Sequence, residues 1–500
     1  MRGRLTLAPL SATFIILFVG SCKTPDDSSR LRGHYENLSE AELIPYKGKV
    51  KIIPEFEDSS GVIITVDAVE KFNLYPLLEA FKQHPQKPSV ILPMLSASYP
   101  EPAEMKPFLN DNQFKVINVK SDPNAVYSDI SWTRDWAPWP ASYKPDVSTP
   151  PKARFADFNY YEVRNLADEV PQLLSTQLGI PRISIPIRTE GGNFMINNRG
   201  DCMMTTGVID REELVKKYKE LLENYRSLRE DLGGQIYEKL VARYEMLLEN
   251  SKSYDRAAIE AFFMDYAGCR KVFWLPPSPA DVNQHIDLFA KFLSEDIVLV
   301  MDLQDATIAT LPKVEDPAAE LDVAASLKFA KNVQSNLNEV AGTLTRNGFR
   351  VVRAPLPLTM IYKALFYDES ARLPLIGRSS GLAALVSSGS ALDLKSISNA
   401  GLEVHMRSYA NSLIVKPMVY VPRFNMPIID GSASMAVLGG DGKGVSEYPD
   451  AALIPQYEKA VVDAYRQAGL TVTWIDADQT VPFQGSIHCL TQQIGRVPNH

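Results

Sequence analysis

Short apolar runs rich in β-branched residues alternate along this chain with longer stretches whose apolar residues recur at helical spacing. An apolar run, a helix-like stretch and a second apolar run follow one another three times. Alternating strands and helices are typical of the α/β class. Because the three modules are similar and widely spaced, they predict a structural repeat rather than one continuous sheet. The modules span residues 61–93, 297–352 and 418–475.

Two segments interrupt this alternation. Residues 210–263 are dense in Glu, Lys, Leu and Tyr, with Gly233-Gly234 between two helical halves, and this pattern predicts an antiparallel helical hairpin. Residues 362–404 are rich in Ser, Ala, Leu and Gly and have no clear periodicity. We interpret both segments as insertions into the repeated modules.

The N-terminus has the pattern of a bacterial export signal. Two arginines precede an apolar run that is too short for a permanent membrane span, and Gly20-Ser21-Cys22 follows it. This ending resembles a lipobox, which predicts a signal peptide over 1–22, lipidation of Cys22 and a membrane-anchored lipoprotein, periplasmic or at the cell surface. The alternative is a plain secretory signal with an incidental cysteine. A flexible tether is expected over 23–45, and one folded domain over 46–500.

Composition limits the class of function. With 45% hydrophobic and 22% charged residues the chain is typical of globular proteins, and its net charge of −8 argues against a general nucleic-acid binder but would not hinder a cationic substrate. Beyond Cys22, three cysteines remain, so at least one thiol is expected to be free. Cys202 and Cys269 are either buried as small apolar residues or paired in a disulfide.

Two short segments offer candidate chemistry. In Gln284-His285-Ile286-Asp287, an extended backbone would place His285 and Asp287 on one face, where both could address one ligand. Cys489 ends the sequence Ile487-His488-Cys489, and on an extended backbone His488 would point away from it. A distant histidine is then the better base for Cys489. Alone, a histidine and an aspartate two residues apart are usually incidental or structural. A lone cysteine is usually a buried apolar residue.

Two further segments lie in loops. Asp135 is part of an Arg-Asp pair within an aromatic cluster, which could equally be a salt-bridged surface loop. Glu190-Gly191-Gly192-Asn193 follows an apolar strand, and its paired glycines predict a turn with positive φ or a close approach of the backbone to a ligand. By itself the segment is equally consistent with a plain turn.

Together these segments resemble the bacterial peptidylarginine deiminase and agmatine deiminase family of guanidine-modifying enzymes. The family's motifs occur here in the same order, across nearly the whole chain after the signal peptide. One departure is Ala137, where the family usually has glycine. The motifs are Arg134-Asp135-Trp136-Ala137-Pro138, Glu190-Gly191-Gly192-Asn193, His285-Ile286-Asp287, Ser408-Tyr409-Ala410-Asn411 and Ile487-His488-Cys489.

The resemblance implies a five-bladed α/β propeller and a deiminase catalytic domain over 46–500. It implies that Cys489 is the nucleophile, that His285 is the general acid and base, and that Asp135 and Asp287 hold the substrate guanidinium. Carboxylates suit this planar cation, and a thiolate suits its weakly electrophilic carbon. Asn411 is expected to support the nucleophile, and the resemblance places Trp136, Gly192 and Asn193 at the substrate.

The expected substrate is arginine in a peptide or agmatine, with neither cofactor nor metal. The segment 156–164 resembles one in which the secreted peptidylarginine deiminase of this family uses two arginines to hold the carboxylate of a C-terminal arginine. Only Arg164 matches here, and Glu162 takes the other position. A carboxylate there repels a substrate carboxylate. This predicts a weaker preference for C-terminal arginine.

Three other functions are compatible with parts of this pattern. An amidinotransferase of the same fold would pass the amidino group to an amine instead of water. A non-catalytic surface lipoprotein could bind arginine-containing ligands, but such a protein has no use for the Cys489 thiol. A papain-like hydrolase would leave the five motifs unexplained, and His285 precedes Cys489 in the chain.

Overall fold

The computed structural model describes residues 40–95, 103–120, 130–160, 165–208, 256–281, 283–311, 317–358, 360–363, 402–425, 450–483 and 485–497. Within these ranges no helix combines the length and the apolar character needed to span a bilayer. The predicted signal peptide with Cys22, most of the tether, and the segment with Glu162 and Arg164 lie outside the described residues.

Short strands and helices alternate along the described chain. The strands are β1 (Val50–Ile52), β2 (Ser59–Ile63), β3 (Ser89–Leu95), β4 (Phe114–Val119), β5 (Trp139–Tyr143), β6 (Lys152–Asn159), β7 (Arg182–Arg188), β8 (Met195–Ile196), β9 (Asp201–Thr205), β10 (Lys271–Leu275), β11 (Ala290–Phe292), β12 (Ile297–Asp302), β13 (Arg350–Pro355), β14 (Met360–Lys363), β15 (Leu402–His405), β16 (Leu413–Val415), β17 (Met418–Arg423), β18 (Thr471–Asp476) and β19 (Gln492–Gly495). The helices are α1 (Glu40–Leu43), α2 (Val66–Lys71), α3 (Tyr75–Gln83), α4 (Lys106–Leu109), α5 (Thr133–Trp136), α6 (Asn165–Leu178), α7 (Arg256–Tyr266), α8 (Asp305–Ile308), α9 (Pro317–Arg346) and α10 (Ile454–Arg466).

One unit of three strands recurs in five sheets. Its first strand is antiparallel to a central strand, and a helical crossover leads from the central strand to a parallel third strand. Parallel neighbours require such a crossover. The five units are β19-β2-β3, β5-β6-β7, β8-β9-β10, β11-β12-β13 and β16-β17-β18, with β4 and β1 extending the first two sheets. The predicted structural repeat is therefore present in a mixed α/β fold.

The three predicted modules match three of these units. The first is β2, α2, α3 and β3, the second is β12, α9 and β13, and the third is β17, α10 and β18. Their central strands are buried on both faces, as Val298, Leu299 and Val300 show with no exposed surface. A strand buried on both faces appears in a sequence as a continuous apolar run. The continuous apolar runs in the sequence therefore predicted the buried central strands of these three units.

The described residues bear on the predicted boundaries at three places. Residues 40–45, assigned to the tether, are helical from Glu40, and Leu43 is buried, so the folded part begins before residue 46. Of the predicted hairpin at 210–263, only the part from Arg256 is described, as helix α7. The described ends of the 362–404 insertion are strands β14 and β15, which pair antiparallel with each other.

A disulfide joins Cys202 on β9 to Cys269, which lies between α7 and β10. The two cysteines are 67 residues apart, and both are buried in the apolar core that packs around Phe263. Cys489 is a free, buried thiol. The choice left open for Cys202 and Cys269 is therefore settled in favour of pairing.

Candidate active site

The candidate residues occupy equivalent positions in the five units. Each lies just before the first, antiparallel strand of its unit: Asp135 before β5, Glu190 to Asn193 before β8, His285 and Asp287 before β11, Asn411 before β16, and Cys489 before β19. Residues far apart in the sequence therefore come from the same end of equivalent strands. The repeat explains why five separate motifs supply one site.

Cys489 is held at the centre of this site. Its side chain is 5% exposed, and Asn411 Nδ2 donates a hydrogen bond to Cys489 Sγ at 3.0 Å. The thiol lies 3.5 Å from Asp287 Oδ2. Asn411 also binds the turn itself, because its Oδ1 accepts from Cys489 N and its backbone oxygen accepts from His488 N. Asn411 thus fixes both the sulfur and the backbone that carries it.

Burial raises the pKa of the Cys489 thiol well above its usual range, and the carboxylates of Asp287 and Asp135 add to this effect. The hydrogen bond from Asn411 acts in the opposite direction without reversing the shift. The thiol of the free protein is therefore protonated at neutral pH. A cation bound beside the sulfur would favour the thiolate.

His285 lies between two carboxylates. Its Nε2 bonds to Glu190 Oε2, and its Nδ1 lies 3.9 Å from Asp135 Oδ1. Gly192 packs against the ring, because a Cβ added there would lie 2.4 Å from His285 Nδ1. Burial alone would lower the pKa of His285, but Glu190, and then Asp135 and Asp287, hold it well above its usual value. The ring is an imidazolium in the free protein.

The backbone before His285 is tightly turned. Gln284 has φ 59°, in the left-handed region that residues with side chains seldom adopt. Asp281 receives the backbone N–H of His285 on its Oδ2 at 2.5 Å. Burial raises the pKa of Asp281 to about 7, despite the opposing charge of His285. The turn and this carboxyl set the direction of the imidazole.

Asp287 and Glu55 are joined through His488. His488 Nδ1 lies 2.6 Å from Asp287 Oδ2, and His488 Nε2 lies 2.7 Å from Glu55 Oε1. Burial opposes the ionisation of Asp287, but the hydrogen bond and charge of His488 outweigh it and lower its pKa. Asp287 is therefore an anion beside the thiol.

Two buried cations hold Glu55. Arg134 Nη1 donates to Glu55 Oε1 at 2.5 Å, and Lys291 Nζ donates to Oε2 at 2.9 Å. Burial opposes the ionisation of Glu55, but Arg134, His488 and Lys291 outweigh it, so its pKa lies well below the usual range. Arg134 also bonds to the backbone oxygens of this segment, since its N donates to Cys489 O and its Nε to His488 O. Glu55 and Arg134 also line a small pocket, together with Trp139, Gly191 and Gln493.

Three residues expected at the substrate lie in different surroundings. Gly192 contacts His285, as described above. Trp136 is buried in the apolar core, with its indole N–H donated to Ile130 O at 3.0 Å. Asn193 is buried, and its Oδ1 accepts the backbone N–H of Thr205 at 3.0 Å. The structure therefore brings together Cys489, His285, Asp287, Asp135 and Asn411, with Gly192, while Trp136 and Asn193 hold the supporting backbone.

Three segments have local conformations other than the extended backbone or positive-φ turn considered for them. Ile286–Leu288 form a 3₁₀ turn rather than a strand, and the turn after His285 directs Asp287 to the thiol. His488 and Cys489 also lie in a turn, which lets His488 reach Asp287 although its neighbour carries the thiol. Gly191 and Gly192 form a 3₁₀ turn without positive φ. Glycine is needed at position 191 for lack of space, since a Cβ there would lie 2.0 Å from Arg134 O.

Sequence reasoning missed the charged residues behind the motifs. Glu190 belongs to one of the motifs but received no role of its own, although a carboxylate one residue before a glycine pair is a reasonable partner for a histidine. Arg134 and His488 were within motifs but received no role. Glu55 and Lys291 belong to none of the motifs, so only their burial and contacts reveal them. Among the described residues, no group of three or more His, Cys, Asp or Glu side chains could hold a metal ion.

Comparisons with known proteins show which family and which fold this chain is similar to. The family model of Porphyromonas-type peptidyl-arginine deiminases matches residues 238–438, a range that includes His285, Asp287 and Asn411. Over that range the chain is similar to the Porphyromonas-type peptidyl-arginine deiminases. This confirms the resemblance that the motifs suggested.

Solved structures of agmatine deiminases are similar to this chain in fold. The C. jejuni agmatine deiminase superimposes with a TM-score of 0.52 at 13% identity, over 90% of this chain and 98% of that chain. The agmatine deiminase of Enterococcus faecalis gives a TM-score of 0.51 at 14% identity, over 89% of this chain and 95% of that chain. At such low identity these matches establish a common mixed α/β fold.

Proposed function

We propose that this protein hydrolyses a guanidinium group and releases ammonia through a covalent thiouronium on Cys489. The observation that carries the proposal is the convergence on one buried point of a free thiol, an imidazolium and two carboxylates. A binding protein needs the carboxylates, but it has no need for the thiol or the imidazolium. The family relationship supports the same class of reaction.

The carboxylates suit a guanidinium as the ligand. Among the described residues, Asp287 Oδ1 is buried and has no hydrogen-bond partner, so it is available to accept from a substrate N–H. Asp135 lies on the other side, next to His285. Two carboxylates match the planar array of N–H donors in a guanidinium. The bound cation would offset their charges and bring its carbon close to Cys489.

The bound cation also activates the thiol. It lowers the cost of the thiolate, whose proton is released and finally accompanies ammonia as ammonium. The sulfur adds to the guanidinium carbon to give a tetrahedral intermediate. His285, as the imidazolium, protonates one nitrogen, the C–N bond breaks, and ammonia leaves. The remaining group is an S-linked thiouronium on Cys489.

Water completes the reaction. His285 has lost its proton to ammonia, so it can accept a proton from water as the oxygen adds to the thiouronium carbon. The C–S bond then breaks, the product keeps the oxygen as a ureido group, and the sulfur takes back a proton. His285 is again an imidazolium. The net change is guanidinium plus water to a ureido compound plus ammonium.

The five repeated sheets support a propeller as the complete architecture. Each unit would be one blade, and the ends of the five first strands would surround a central channel that contains Cys489. The equivalent positions of the site residues in the units are the basis for this arrangement.

The proposal is tested by measuring ammonia and ureido product from agmatine and from arginine peptides. Cys489→Ala should abolish both products, lowering the rate by several orders of magnitude, because only the covalent step requires the thiol. Binding of the guanidinium compound should persist, since the carboxylates remain. Near-normal turnover by Cys489→Ala would disprove the mechanism. Product formation only after an amine is added would indicate amidino transfer instead.

The choice of substrate depends on the segment with Glu162 and Arg164. We expect agmatine, or arginine within a chain, to be used better than C-terminal arginine, because Glu162 repels a terminal carboxylate. Glu162→Arg should raise kcat/KM for C-terminal arginine relative to agmatine. A strong wild-type preference for terminal arginine that the substitution leaves unchanged would contradict this expectation.

Export and lipid anchoring complete the proposal. The disulfide between Cys202 and Cys269 supports an oxidising compartment, because buried disulfides are rare where thiols are kept reduced. This observation is independent of the N-terminal sequence on which the lipidation of Cys22 rests.

A further inference from the structure

His488 differs from an ordinary buried histidine in the partners of its ring. The side chain has no exposed surface, and both ring nitrogens contact carboxylates, Asp287 at Nδ1 and Glu55 at Nε2. His84 is also buried, but its Nδ1 accepts from the backbone N–H of Gln86 and its Nε2 faces the backbone oxygen of Val415. Neither ring nitrogen of His84 contacts a carboxylate in these bonds.

Both ring nitrogens of His488 lie within hydrogen-bonding distance of a carboxylate. An ionised carboxylate only accepts hydrogen bonds, and the pKa values of both Glu55 and Asp287 lie below their usual ranges. Hydrogen bonds between the ring and these carboxylates are therefore donated by the ring. His488 lies between the two anions and links them.

This arrangement divides the two oxygens of Asp287 between two tasks. Oδ2 is fixed by His488 at 2.6 Å and lies 3.5 Å from the thiol. Oδ1 has no hydrogen-bond partner among the described residues. A carboxylate held at one oxygen cannot rotate freely, so the direction of Oδ1 is also set. Glu55 is itself immobilised by its ion pairs with Arg134 and Lys291. The series of contacts from Asp287 through His488 therefore ends on a fixed carboxylate.

We propose that His488 and Glu55 are positioning residues that act through Asp287, fixing Oδ2 so that Oδ1 is directed at the substrate guanidinium. The inference rests on the proposed function, because it assigns a ligand to Oδ1. His488 does not touch the substrate in this scheme. Its N–H at Nδ1 is the part that matters, and the N–H at Nε2 anchors the ring to Glu55.

Two substitutions at His488 distinguish the role of the Nδ1 donor from that of the Nε2 donor. In His488→Asn, the side-chain NH₂ stands close to the former Nδ1 and can still donate to Asp287. In His488→Gln, the NH₂ reaches toward the former Nε2 and donates to Glu55 instead. Each variant is made in Cys489→Ala, and agmatine binding is measured by calorimetry. We expect the Asn variant to stay within about threefold of the parent and the Gln variant to lose about tenfold in affinity.

A double-mutant cycle tests whether the effect passes through Asp287. In an Asp287→Asn background, His488→Gln should change agmatine affinity by less than about twofold, because the oxygen it positions is no longer a carboxylate. His84→Gln is the matched control for substituting a buried histidine, and it should leave affinity unchanged. Melting temperatures of all variants report any general loss of folding.

The outcomes separate the inference from the proposed function. Equal losses in His488→Asn and His488→Gln, or an undiminished loss in the Asp287→Asn background, would overturn the positioning role while Cys489-dependent turnover still supports the deiminase. If Cys489→Ala binds no guanidinium compound and the wild type forms no ureido product, the proposed function is wrong and the positioning role is wrong with it.

Discussion

At the scale of single residues, the order of charges around Cys489 explains why the free thiol keeps its proton. Asp287 Oδ2 lies 3.5 Å from the sulfur, while the cations Arg134 and Lys291 are paired with Glu55. The immediate surroundings of the thiol therefore disfavour a second anion. A cationic substrate reverses this balance, so binding and activation of the nucleophile are one event.

Glu190 sets the protonation of His285, and this gives a prediction for the pH profile. Because Glu190 raises the pKa of His285, Glu190→Gln should lower it, and the ring should lose its proton at a lower pH. The alkaline limb of the kcat/KM profile should therefore move to lower pH, by about one unit or more. A profile with an unchanged alkaline limb would show that Glu190 does not control the acid.

A matched control for that measurement is Glu260→Gln. Glu260 is a partly buried carboxylate that bonds to Trp274 and Arg256, in helix α7 and away from His285. Its substitution should leave the pH profile unaltered. Any common shift in both variants would indicate a general effect of removing a negative charge.

At the scale of elements, the sequence predicted the strands better than the turns between them. Central strands such as β12 are buried on both faces, and burial alone determines a continuous apolar run. The turns at His285, Gly192 and Cys489 depend on contacts between units, which local sequence does not encode. That is why the members of the motifs were predictable, while the 3₁₀ turns and the partners Glu55 and Lys291 were not.

Gly192 tests the close packing of one such turn. A Cβ at this position would lie 2.4 Å from His285 Nδ1, and either the ring or the turn would have to move. Gly192→Ala should therefore lower kcat/KM by about a hundredfold, since displacements near 1 Å in an active site have costs of this order. Steady-state kinetics with agmatine or an arginine peptide would measure it.

The control for Gly192→Ala is Gly342→Ala in helix α9. There the added Cβ would meet only the end of the Arg346 side chain, at 3.2 Å, which can move aside. Alanine also favours the helix over glycine. This variant should keep full activity and stability. Full activity of Gly192→Ala as well would mean that the contact with His285 is unimportant.

At the scale of the whole molecule, a repeated unit explains both the fold and the site. Five first strands that begin at equivalent positions bring residues 135 and 489 to one place, although more than half of the chain separates them. The family motifs predicted this convergence because they mark the same position in each unit. The predicted helical hairpin at 210–263 and the 362–404 segment carry no such motif, so nothing in their sequences assigns them a role in the chemistry.

Attachment of the whole molecule to a membrane depends on the lipidation of Cys22. If Cys22 is lipidated, the acyl chains should carry the mature protein into the detergent phase of a phase-separation experiment, since each buried CH₂ contributes about 0.8 kcal/mol. Cys22→Ser should move the protein to the aqueous phase without changing its kcat/KM, because Cys489 and its partners are unaffected. Cys489→Ala is the reciprocal control: it should lose activity and stay in the detergent phase. A Cys22→Ser protein that still partitions into detergent would show that the anchor hypothesis is wrong, whatever the state of the disulfide.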